Sequence, residues 1–310
     1  MKHYNFLRAI ALVGMAGVLS WQPIAKAAAA DDAAKPVDLV AVMGGEPKGM
    51  LLKALEPLGG IGNFVKKGQV VVLKPNIGWD KTPELAANAN PDLVGALVAL
   101  CLQAGAKEVQ VFDHTCDDWN KCYNNSGIRK AVEAAGGKML PGNDKSYYKK
   151  VDLPQGVKLK TTLIHEAILN CDVWINIPVL KHHGGAKLSC AMKNLMGIVW
   201  DRQYFHVHDL QQCIADLCSL EKKPVLNVVD AYRAMKANGP QGRNQNDVVT
   251  LKTLIVSPDI VAADAAALTF FNQIPSVNLP ESEVGHIYNA HQLQLGNKNL
   301  KDLNIKRIKM

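Results

Sequence analysis

From Val37 onward, short apolar runs alternate with stretches of helical periodicity, and this rhythm constrains the fold more than any other feature of the 310-residue chain. Alternation of that kind marks βαβ units, whose strands pair in parallel and are covered by helices on their faces. Strands are expected at Val37–Met43, Gln69–Leu73, Glu108–Phe112, Val173–Ile177, Val225–Val229 and Leu251–Val256. Helices are expected at Lys48–Leu58, Pro91–Ala104, Ser126–Ala135, Thr162–Asn170, Asp209–Leu220 and Pro258–Phe271, the last with Ser257 as N-cap and Pro258 in the first turn. The expected architecture is α/β: a Rossmann-like, doubly wound, mostly parallel sheet with flanking helices. The tail from Pro275 onward carries no clear pattern.

The N-terminus reads differently. Lys2 and Arg8 flank the start, Ala9 to Trp21 is apolar, and Ala25-Lys26-Ala27 has the small-x-small pattern of a cleavage site. Residues 1–27 are therefore expected to be a secretory signal peptide, and residues 28–310 a single α/β domain in the periplasm or outside the cell. The apolar run is short of the roughly 20 residues a membrane span needs, so no stable span is expected after cleavage. The whole chain carries 35 basic and 28 acidic residues. Removing Lys2, Arg8 and Lys26 leaves it nearly neutral, without the basic block that tracks a nucleic-acid backbone. Seven cysteines in an exported chain leave at least one unpaired; Cys116 and Cys122 lie in a polar loop that a disulfide would close. No C-x-x-C occurs, so an iron–sulfur cluster or zinc ribbon lacks its usual ligand spacing.

In open parallel sheets, ligands gather beyond the carboxyl ends of the strands. Here those positions are polar: Lys74-Pro75-Asn76, Asp113-His114, Lys181-His182-His183-Gly184-Gly185 and Asp230. The runs Val71–Asn76, Ile175–His183 and Lys193-Asn194-Leu195-Met196-Gly197 resemble the family catalogued as domain of unknown function 362. Arg202 with His206, Val228–Ala231, Gly239–Gly242 and Ser257-Pro258-Asp259 continue the resemblance in order, over about residues 37–300. The resemblance implies no established chemistry. Many members of that family carry an added ferredoxin-like cluster domain, whose cysteine run this chain lacks, and Cys190 stands where relatives commonly have Thr.

Between Trp174 and His208, Lys181, Lys187, Lys193 and Arg202 face a single acid, Asp201, and share the segment with four histidines. This concentration points to a pocket for a small anionic ligand, a carboxylate or phosphate. Lys74, Lys181 and Arg202 would supply counter-charge, Asn76, Asn194 and Asp230 hydrogen bonds, and the Gly184-Gly185 backbone N–H groups aimed at the anion. His183 or His206 would move a proton and Lys193 would stabilise developing charge, which makes an enzyme the first reading. A second reading is a divalent metal at His183, His206 and Asp209, with Asp230 as a further oxygen donor. A third is an accessory or binding protein that holds an anion or metal for a partner and does no chemistry, and a fourth is a redox partner without its own cluster, using a metal or a Cys116–Cys122 disulfide. Within the apolar stretch Ile260–Leu268, Asp264 is expected at the polar margin of its helix, and Cys190 is expected to be a small buried residue rather than a nucleophile.

Overall fold

A computed structural model describes residues 35–310; the signal peptide expected at residues 1–27 lies outside the described residues. β1 (Leu39–Met43) and α1 (Pro47–Leu55) precede β2 (Val70–Pro75), α2 (Pro91–Gln103) and β3 (Glu108–Val111). α3 (Trp119–Asn125) and α4 (Ile128–Ala134) lead to β4 (Lys138–Met139) and to a ribbon of β5 (Tyr148–Asp152) and β6 (Thr161–His165), closed by α5 (Glu166–Asn170). β7 (Val173–Ile177) runs into the hairpin of β8 (Val179–His183) and β9 (Lys187–Ser189), then α6 (Ala191–Asn194), α7 (Gln203–His208) and α8 (Leu210–Leu217). β10 (Leu226–Met235), β11 (Val248–Ser257), α9 (Ile260–Phe271), α10 (Gly285–Gln292) and β12 (Ile305–Lys309) follow.

One sheet orders its strands β12-β1-β11-β10-β7-β2-β3-β4. The run from β10 to β4 is parallel throughout; β11 is antiparallel to both β10 and β1, and β12 joins β1 in parallel. The expected α/β class with a mostly parallel sheet and flanking helices is therefore what forms. Period-two alternation splits β2 between two cores: Val71 and Leu73 pack with the α1 and α2 side, and Val72 with the face covered by α6 and α9. Both faces are buried, which is why these strands read as continuous apolar runs.

Local departures have local causes. The helix expected over Thr162–Asn170 is a strand as far as His165 and a helix only from Glu166. Thr161, Thr162 and Ile164 are β-branched, and β5 supplies them with an antiparallel ladder. The helix expected at Ser126–Ala135 begins only at Ile128, because Gly127 has a positive φ and separates it from α3, a helix not expected from the sequence. The helix expected at Pro258–Phe271 begins at Ile260 and is capped by Asp259, which accepts from Val261 N and Ala262 N; Ser257 Oγ instead accepts from Asp259 N and donates to Asp38 O. Among the described residues no helix is long and apolar enough to cross a membrane.

Candidate functional site

Where β7 ends at Ile177, the chain turns at Pro178 and re-enters as β8, which pairs with the long distal half of β10 and folds back through β9. This hairpin and the helix α6 stand over the carboxyl ends of β2 and β3. Between them lies a cavity of about 380 Å³. Lys74, Asn76, Lys181, His183, Lys193, Asn194, Arg202 and His206 all line it, so the structure gathers these scattered positions into one place.

Lys74, at the end of β2, is 1% exposed, and its ammonium has three acceptors: Asn194 O at 2.6 Å, Asn194 Oδ1 at 2.7 Å and Asp113 Oδ1 at 2.9 Å. All three N–H groups are spent on the protein. Lys74 is thus a keystone of the cavity wall rather than the counter-charge for a ligand that its position suggested. Asp113 is spent as well, because its Oδ2 accepts from Ile77 N at 2.7 Å. Burial lowers the pKa of Lys74 and the Asp113 charge opposes that shift.

Side-chain amides extend this wall. Asn194 Oδ1 also accepts from Asn76 Nδ2, Asn194 Nδ2 donates to Asn176 Oδ1, and Asn176 Nδ2 donates to Asn227 Oδ1. At the other end Lys181, 1% exposed, donates to Asn76 Oδ1 at 2.9 Å and to Ala87 O. One of its three N–H groups is left over. Burial, with the neighbouring Lys193 charge acting in the same direction, lowers the Lys181 pKa to about 7.

Lys193, on α6, has no hydrogen-bond or ion-pair partner among the described residues. Its pKa falls to about 8, first by burial and then by Arg202 and Lys74. Arg202 is occupied on one side, donating to His114 O and Thr115 O at 2.8 Å and lying 3.2 Å from Cys116 Sγ. Among the described residues Asp113 is the sole acid lining the cavity, and it is neutralised by Lys74. Lys181, Lys193 and Arg202 therefore stand without a carboxylate.

The histidines divide by the nitrogen they commit. His183 Nδ1 accepts from Gly185 N at 3.1 Å and Ala186 N at 3.0 Å, which fixes the proton on Nε2. Burial and the Lys193 and Lys181 charges push this ring down to about 2. His183 is thus a hydrogen-bond donor and not the proton acceptor expected of it. His206, on α7, is exposed and commits neither nitrogen, and burial of its inner edge together with Lys193 lowers its pKa.

Several expected roles go elsewhere. The Gly184 N–H donates to Gly239 O and the Gly185 N–H to His183, so neither is aimed at an anion. Asp230 lies outside the cavity wall and accepts from Asn90 N and Tyr232 N; burial raises its pKa to about 6. Asp209 caps α8 by accepting from Gln212 N. The expected metal set does not fit together: His183 has its Nδ1 engaged and Nε2 protonated, Asp209 is turned to its helix, and lysines crowd the space. Among the described residues, no three His, Cys, Asp or Glu side chains are grouped to hold a metal ion. The expected Cys116–Cys122 disulfide is absent too, with both thiols free; Cys190 is buried as expected.

Asp113, His114 and Cys116 also line the cavity and are not among the expected site residues. Asp113 and His114 lie just beyond β3, the position that strand-end logic favours, yet the pair read equally well as a turn. His114 Nδ1 meets Val199 O at 2.8 Å and its ring stacks on Trp200, leaving Nε2 as a lone-pair acceptor. Cys116 is brought in only by the loop that Arg202 braces, and nothing in the local sequence signals that.

The model of the family described as "Domain of unknown function (DUF362)" matches residues 71–269. A curated relative, a thylakoid-associated protein of Synechocystis sp., is 28% identical over 233 residues, covering 73% of this chain and 70% of the relative. Among solved structures, a Thermotoga maritima protein aligns with a TM-score of 0.46 and 11% identity, over 80% of this chain and 60% of that one. The lactate racemase apoprotein of Thermoanaerobacterium thermosaccharolyticum aligns at 0.44 and 10% identity, over 76% of this chain and 57% of that one. The chain thus spans about 60% or less of the length of these solved chains. The family match runs from β2 into α9 and contains every residue lining the cavity, and the chain belongs to the DUF362 family.

Proposed function

We propose that the cavity binds a small anionic ligand bearing a carboxylate or phosphate, in a protein that acts outside the cytoplasm after export. The observation that carries this reading is the surplus of cations. Lys181, Lys193 and Arg202 line one cavity whose single acid is already paired with Lys74. Keeping like charges together in a half-enclosed space is unfavourable without a counter-ion, and an anion entering it gains from each. The spare Lys181 N–H and His183 Nε2–H add oriented donors. A volume of about 380 Å³ suits a small organic acid rather than a macromolecule.

The same arrangement supports an enzyme. His206 is a neutral, uncommitted imidazole at the rim, and His114 presents a lone pair from the opposite side, so a bound anion would have a proton acceptor within the same cavity. The donors around it would stabilise negative charge developing on the ligand.

Calorimetric titration of the mature protein with inorganic phosphate and with acetate tests the binding. Lys193→Ala is expected to weaken the binding by roughly tenfold, the scale of one charge-assisted contact. Equal affinity in the native protein and the variant would remove the reading. If His206→Gln leaves the affinity unchanged and no turnover is found with any small acid, the non-catalytic binding protein is the better description.

A further inference from the structure

We propose that Lys193 is a nucleophilic amine that captures the carbonyl carbon of a small oxo acid as an imine, an assignment that rests on the anion-binding reading of the same cavity. The three lysines there are not equivalent. Lys74 has all three N–H groups in hydrogen bonds and is held as an ammonium by Asp113. Lys181 is tethered on both Asn76 and Ala87. Lys193 alone has a nitrogen that no protein acceptor fixes, on a side chain that reaches the cavity from the short helix α6.

A nucleophilic lysine needs an available lone pair, and proteins provide it by burying the amine or by placing other cations near it. Both conditions hold. Arg202, Lys74 and Lys181 surround Lys193, no carboxylate pairs with it, and its pKa drops to about 8, so a usable fraction is neutral near physiological pH.

The remaining donors divide the labour. Arg202, the spare Lys181 N–H and His183 Nε2–H would hold the carboxylate, leaving the adjacent carbonyl carbon to the Lys193 nitrogen. The nitrogen lone pair forms the C–N bond as the C=O π pair moves to oxygen. The ammonium first gives one proton to solvent to free the lone pair; the oxygen then leaves as water with one hydrogen from nitrogen and one proton taken back from solvent, so the imine nitrogen keeps one hydrogen and its positive charge. No oxidant or reductant is required. The protonated imine withdraws electrons from the neighbouring carbon, whose proton the uncommitted His206 imidazole is placed to accept. This makes the ligand a 2-oxo acid rather than any small anion.

Incubation with pyruvate and sodium cyanoborohydride, followed by mass spectrometry and peptide mapping, reads the imine as a reduced adduct. The expected result is one adduct on Lys193, with a yield that rises as pH climbs through 8. Lys193→Arg has no nucleophilic amine, so it is expected to lose trapping by more than about tenfold. Because the adduct is mapped on the native protein, the assignment does not depend on how the variant folds. An adduct on Lys181 or another lysine, or none while phosphate still binds, overturns the imine and leaves the anion site standing. If neither adduct nor anion binding is found, both fall.

Discussion

Lys74 and Asp113 are 1% and 2% exposed, and the space above their ion pair is kept open by Gly197, where an added Cβ would come 1.8 Å from Asp113 Oδ1 and 2.4 Å from Lys74 Nζ. Neither atom has anywhere to go. Gly197→Ala is therefore expected to destabilise the protein by about 2–4 kcal/mol, combining overpacking with a displaced buried ion pair, and a lowered urea midpoint would register it. Lys74→Met should cost about 3–5 kcal/mol, because it leaves the Asp113 carboxylate buried without its partner; a midpoint within error of the native protein would contradict the pairing. The sequence displays Lys74 and Asn76 at a strand end and marks the neighbourhood correctly. It does not display which N–H groups are already used. The partners of Lys74 lie in two other segments, Asp113 and Asn194, and only the closed sheet reveals that its charge is spent. His183 is the same case: the residue type announces proton chemistry, while two backbone N–H groups on Nδ1 decide otherwise.

α6 has only four residues, too few to hold itself together, and it carries Lys193 and Asn194. Its N-terminus is held from outside, by Asp264 on α9, which accepts from Ala191 N at 2.6 Å and Met192 N at 3.2 Å and lies 3.6 Å from His286 Nε2. The margin position expected for Asp264 is thus wrong: it is 0% exposed, buried because it caps another element. Its isolation in an apolar helix was legible as an anomaly, but the capped helix lies some seventy residues earlier. Asp264→Ala strands two buried N–H groups, at about 1–3 kcal/mol for each. The loss should appear as a lower melting temperature together with weaker phosphate binding, since α6 would no longer fix Lys193. A variant that melts early but binds phosphate normally would show that α6 keeps its place without the cap. Elements with strong periodicity, such as α2 and β7, were readable because both faces of the sheet demand apolar residues. β6 was not, because its β-branched residues become a strand only where β5 supplies the ladder.

Across the whole molecule, the sheet order sets β2, β3 and β7 side by side, so that polar tails separated by up to a hundred residues meet at one edge. That convergence was legible from the strand-end chemistry; the strand order and the inward β8–β9 hairpin that roofs the cavity were not. Gathering amines under that roof has a cost that depends on pH. Burial brings Lys181 to about 7 and Lys193 to about 8 in the folded chain, whereas in the unfolded chain both stay near the ordinary lysine value of about 10.4. Between pH 7 and 8 the unfolded state therefore binds more protons at these lysines than the folded state does, and their contribution makes stability rise with pH. Below that window both states are protonated at these lysines and their contribution is flat. From about pH 8 upward the buried thiols, Cys101 and Cys122 among them, act in the opposite sense, because burial raises them to about 12 while unfolded thiols ionise near the ordinary value of about 8.5. A phosphate or carboxylate in the cavity stabilises the ammonium forms, raises the folded-state lysine values and removes much of the slope. Urea midpoints taken from pH 7 to 8 should climb for the ligand-free protein, climb less for Lys193→Met, and climb least in saturating phosphate. If the midpoints are level without phosphate, or the slope is indifferent to both phosphate and Lys193, then the amines are not sharing a desolvated cavity, and the electrostatic basis for ligand capture is gone.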